Sequence, residues 1–179
     1  MSQEGNTVTR FALVLAVVVL ATSPIAAATE PPPFAKDLTF EGEAFSLVDT
    51  GTMKARALIT TVTIAHFAKY VARGHAEQPP FRLLVLRLGR TLSAQQLQQV
   101  FRGVVRGRSG YTDSQLKAFL ALLPAAQNGS TLRFRSNATG IEVFAGDALA
   151  GSVVAPQLVA AVWEGFGGSA GTSSGVPRD

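Results

Sequence analysis

The sequence predicts an α+β domain, an antiparallel sheet that carries its helices on one face. Three observations predict it. Apolar and polar residues alternate across residues 38–47 and again across 132–145. Between these stretches, residues 97–104 and 116–123 repeat their apolar positions at helical spacing. The order is therefore strands, helices, strands and a final helix, not the steady alternation that builds a parallel sheet. The chain has 179 residues, 47% of them hydrophobic. That is enough apolar surface for the core of one domain, and it excludes a disordered chain.

Taken in order, Leu38 and Phe40 alternate up to a Glu41-Gly42-Glu43 turn, and Phe45 and Leu47 alternate after it, as in a hairpin. Asp49-Thr50-Gly51 reads as a second turn. Residues 55–71 then read as one long central strand, covered on both sides. Period two puts Arg56, Leu58, Thr60, Val62, Ile64 and His66 on one face, and Ala57, Ile59, Thr61, Thr63, Ala65 and Phe67 on the other. Gln78-Pro79-Pro80 ends it, and residues 83–88 form a short buried strand. Ser93 with Gln96 makes a capping box before Leu97, Val100, Phe101 and Val104. Thr112 or Asp113 opens a second helix that Pro124 stops. Two strands follow across the turn at 137–140, with a further short strand up to Val154. Pro156 starts the last helix, whose apolar face is Leu158, Val159, Val162, Trp163 and Phe166.

The chain start reads as an address. Arg10, an apolar run over residues 11–21, Pro24 and Ala26-Ala27-Ala28 have the form of a cleaved secretory signal over 1–28. Residues 29–36, with three consecutive prolines, form an extended leader. The folded domain is expected over 37–168, with a Gly- and Ser-rich tail over 169–179. The expected location is the periplasm or the outside of the cell. With no cysteine, disulfides, thiolate metal sites, a cysteine nucleophile and a lipoprotein anchor are all excluded.

The net charge of +4 does not point to nucleic acid, because no binding motif accompanies it. Arg82, Arg87, Arg90, Arg102, Arg106 and Arg108 read as a solvated basic face, with peripheral contact to an anionic membrane as the next option. Arg133 and Arg135 are expected to meet Glu142 across their hairpin. His66 and His75, nine residues apart without a carboxylate partner, make no metal site. No cofactor motif is present, and a monomer is expected.

Several local strings, LVLRL, TLSAQQL, YTDSQLKAFLALL, GSTLRFRSNATGIEVFAGDALAGSV and LVAAVWEGFGG, follow the leading hairpin in fixed order. Over residues 40–168 this series resembles the chalcone isomerase-like family, in its bacterial periplasmic branch. The resemblance implies an open-faced β-sandwich, with a large antiparallel sheet, a helix layer and a ligand cleft between them. It also implies one of two activities. Plant enzymes of the family close a flavanone ring as intramolecular lyases, and other members bind fatty acids without chemistry.

Carried over residue by residue, the family's ligand-binding arginine falls on Arg56, or on Lys54 if the register slips by two. The catalytic threonine position falls on Ala65, with Thr61 and Thr63 nearby. The segment that supplies Tyr and Asn in the enzymes reads QQVFRGVVRGRSG, with Phe101 as its one aromatic residue, and the last hydroxyl position falls on Gly165. Arg56 is read either as a head-group cation or as a strand-end arginine facing water or Glu43. His66 reads as a cleft group or a hydrogen-bonded core histidine, and Tyr111 as a cleft cap or a packing residue. Trp163 reads as a core anchor. The expected function is non-catalytic binding of an elongated, apolar, anionic, fatty-acid-like ligand in the sheet–helix cleft. The alternatives are an isomerase using Arg56 with Thr61 or Thr63, and a structural or partner-binding envelope protein.

Overall fold

The structure, a computed structural model, describes residues 34–57, 60–74 and 81–166, without the side chains of Arg56, Ala57 and Thr60. The expected signal segment, most of the leader, His75 and the tail lie outside the described residues. Seven strands form one antiparallel sheet in sequential order. They are β1 (Asp37–Phe40), β2 (Glu43–Ala57), β3 (Thr60–Ala72), β4 (Arg82–Leu88), β5 (Thr131–Ser136), β6 (Gly140–Ala145) and β7 (Ala148–Val154). Helices α1 (Ala94–Val105) and α2 (Asp113–Ala121) connect β4 to β5, and α3 (Pro156–Gly165) follows β7. The chain is α+β, as its alternation and helical spacing predict. None of the described helices is long and apolar enough to cross a membrane.

The helix starts follow local chemistry. Ser93 and Thr112 both cap through complete capping boxes with Gln96 and Gln115. Pro156 occupies the first turn of α3, where its missing N–H costs nothing. Glu41 and Gly42, both at positive φ, make the tight turn between β1 and β2.

The long strand expected over 55–71 is instead two strands. Ala57 pairs with Thr60, so the chain reverses between those two positions, where the sequence holds none of the usual turn residues. Asp49-Thr50-Gly51 is not a turn but lies inside β2, paired with Lys69, Ala68 and Phe67. Gly51 is there for close approach: a Cβ would fall inside the Phe67 ring.

Two hydrophobic clusters lie on opposite faces. On the helix side, Phe101 of α1 meets Phe134 at 5.0 Å and Phe119 at 5.4 Å, while Phe67 meets Phe166 at 5.4 Å. On the other side, Phe45, Tyr70, Leu83, Val85 and Phe144 form a second cluster with Phe40. Strands lie about 4.8 Å apart, so β1 and β6 would be about 24 Å apart in a flat sheet. Phe40 and Phe144 nevertheless touch with ring centroids 4.9 Å apart. The sheet therefore curls, with this second cluster inside the curl and the helices on its convex face.

Candidate functional site

The residues singled out from the sequence divide between the two faces of the sheet. The register pairs Arg56 with Thr61, Lys54 with Thr63 and Thr52 with His66. Met53 and Ala55 pack against the helix-side core, so Lys54 and its partner Thr63 lie on the face away from the helices. The expected separation of Arg56 from Thr61 and Thr63 is thus corrected to direct pairing. Its cause is the reversal after Ala57, and a register slip at Ile64 further brings His66 onto the face of Thr63. The Arg56 side chain lies outside the described residues. His66 shares a 3.3 Å hydrogen bond with Thr52 through Nδ1. Phe101 is fully buried among the helix-side rings. Tyr111 donates its hydroxyl to the Val105 carbonyl at 3.0 Å and so closes the end of α1.

The arginines also redistribute. Arg135 bonds Glu142 at 2.6 Å, as expected, and this bond holds its guanidinium above the ordinary range. Arg133 does not meet Glu142; it binds Asp147 and the Gly146 carbonyl. Arg87 stacks over Phe34 at 4.7 Å, Arg133 over Phe40 at 5.2 Å, and Arg135 over Phe144 at 6.0 Å. These three line the inside of the curl, so of the six arginines expected on a solvated face Arg87 turns inward, while Arg90, Arg102 and Arg106 are exposed. Tyr70 lies there too and donates to the Ala35 carbonyl at 3.0 Å. Burial pushes its phenol above the usual range, and the nearby Arg87 charge partly offsets this.

Where the helices meet the sheet, space is scarce. The void under α3 lined by Leu84, Phe134 and Val162 measures about 10 Å³, room for one water at most. Gly165 shows how tightly the layer closes: a Cβ there would collide with the Val104 side chain and stand 2.7 Å from its carbonyl oxygen. That contact presses α1 against α3.

An open cleft of about 220 Å³ lies at one end of this seam. Arg82, Ser136 and Asn137 form its polar side, and Pro156, Val159 and Ala160 its apolar wall. Alternation along β4 places Arg82 with Leu84, Leu86 and Leu88, facing the helices. Ser136 is its direct partner on β5. Trp163 of α3 enters beside them, with the Lys69 ammonium 4.5 Å and the Arg82 guanidinium 5.2 Å from its ring. Lys69 is 7% exposed. Burial lowers its pKa, Asp49 partly restores it, Arg82 lowers it again, and Glu164 acts as Asp49 does. The strand period in RLLVLRL was the signal that could have turned Arg82 inward.

This arrangement can bind an anion with an apolar body. Among the described residues no group of three or more His, Asp or Glu side chains could hold a metal ion. No family model matches the chain, and no curated protein matches it.

Proposed function

We propose that the chain is an exported, non-catalytic binding protein of the chalcone isomerase-like kind, and that its ligand is an apolar anion held where the helix layer meets the sheet. The cleft of about 220 Å³ carries this reading, since it sets a guanidinium against an apolar wall in that seam. The order of elements and the signal-like chain start support it. The isomerase alternative has less support, because Phe101 and Tyr111 pack with the helix-side core, on the opposite side of the sheet from Thr63. A positioned constellation is what catalysis of this kind needs.

Native mass spectrometry on protein recovered from the exported fraction tests the proposal. An organic anion that leaves on denaturation is expected, on a chain beginning near Thr29. Protein that carries no small molecule, and that no apolar carboxylate stabilises against heat, overturns it. Ring closure of a chalcone above the buffer rate, lost in Arg56→Ala, would establish the enzyme instead. The packed interior, with its void of about 10 Å³, favours a second reading as a structural or partner-binding envelope protein. Protein purified without ligand but with a co-purifying partner chain would support that one.

A further inference from the structure

We infer that Arg82, and not Arg56, takes the ligand's anionic head, and that the ligand is a compact monoanion: a short or aromatic carboxylate, not a long-chain fatty acid. This rests on the binding reading above and assigns its site.

The argument begins with charge. Lys69 and Arg82 flank one indole at 4.5 and 5.2 Å. Neither has an ion pair among the described residues, and Asp49 and Glu164 act on Lys69 only through space. Of the two cations, Arg82 lines the cleft itself, and an anion is the complement of its guanidinium there. Hydrogen-bonding capacity comes next. Ser136 is 8% exposed, and its hydroxyl reaches only the Arg82 carbonyl, at a long 3.5 Å. A buried hydroxyl so weakly used is available to a carboxylate oxygen in the cleft it lines. Pro156, on the cleft wall, opens α3 without a side-chain cap, which leaves the positive helix end on the same side.

Size then selects the ligand class. About 220 Å³ is below the roughly 300 Å³ at which drug-sized sites begin. The inner void that shares Ser136 and Val159 with the cleft adds only about 10 Å³. A phenyl or short branched body fills such a space, whereas most of a sixteen-carbon chain would be left outside it in water.

Trp163 is the single tryptophan of the chain, so its fluorescence reports on the site. The experiment titrates full-length processed protein with 3-phenylpropanoate and with palmitate. 3-Phenylpropanoate is expected to change the Trp163 emission saturably, with affinity falling as salt rises. Arg82→Gln should weaken it about tenfold or more, the loss expected for a hydrogen-bonded charge, and Arg82→Lys should restore part of it. Ala160→Phe, which fills the apolar wall and leaves Arg82 in place, should abolish binding without lowering the Tm. 3-Phenylpropanoate affinity that is unchanged in both Arg82→Gln and Ala160→Phe overturns the assignment. If palmitate alone binds, and survives Ala160→Phe, the site and ligand class fail while the binding function stands. If neither probe nor any co-purified anion binds, both fall together.

Discussion

On the convex face, Phe67, Phe101, Phe119, Phe134 and Phe166 fill the space beneath the helices, with the buried polar residues Lys69 and Ser136 on the same side. On the concave face, Arg87, Arg133 and Arg135 lie against Phe34, Phe40 and Phe144. Both faces keep apolar surface from water, but with different materials. Three helices are available to cover the convex side. The concave side is narrowed by the curl and has only the segment at Phe34, the β1 edge and the strands' own side chains. The long stems of Arg133 and Arg135 bury their methylenes there and keep their guanidinium groups on carboxylates and a carbonyl. A sheet covered by helices stores its stability in packing, while a sheet that covers itself depends on paired charge as well.

The helix side should therefore break hardest under truncation. Phe101→Ala removes a ring that is 0% exposed and is expected to cost about 3–5 kcal/mol in urea unfolding. Gly165→Val should cost about 2 kcal/mol, since α1 must move away from Val104 to admit the side chain. A stability equal to wild type would show that the helix layer is looser than the contact implies. On the concave side Arg135→Met should cost about 1 kcal/mol, discounted because its partner Glu142 is partly exposed. That loss should shrink in high salt, whereas the Phe101 loss should not.

The smallest and sharpest contrast is between neighbours. Lys69 faces the helices and Tyr70 the curl, and burial shifts them in opposite senses. The folded Lys69 binds its proton less tightly than the unfolded one. Its contribution to stability therefore rises as pH passes from the lowered value toward the ordinary one, about 10.4. The folded Tyr70 holds its proton more tightly. Its contribution is full below about 10 and is lost as pH rises through the raised value. Lys69→Met should remove the alkaline gain and Tyr70→Phe the alkaline loss. Parallel pH–stability curves for the two variants would refute the opposition.

Much of the fold was legible in the residues because its signals are local. Ser93 with Gln96, Thr112 with Gln115, and Pro156 each act within one helical turn. The missed features depend on distant partners. The sequence between Ala57 and Thr60 has no turn chemistry, and only the pairing of β2 with β3 shows that the chain reverses between those two residues. The reversal after Ala57 sets Thr61 beside Arg56, where period-two counting placed them on opposite faces, and the slip at Ile64 does the same for Thr63 and His66. The site was harder still. Arg82 stood in the sequence as one arginine among six, and its distinction is the indole that α3 brings to it from eighty residues away.

The sequential strand order has a kinetic consequence. In a meander each strand finds its neighbour already beside it, so most of the sheet can zip up through short loop closures. The meeting of Phe40 with Phe144 is different, because it joins the second-outermost strand at one edge to the first strand at the other. That contact waits until the intervening strands have assembled and curled. The strand made first is then the last to be sealed, and weakening its seal should speed unfolding while leaving the folding rate nearly untouched.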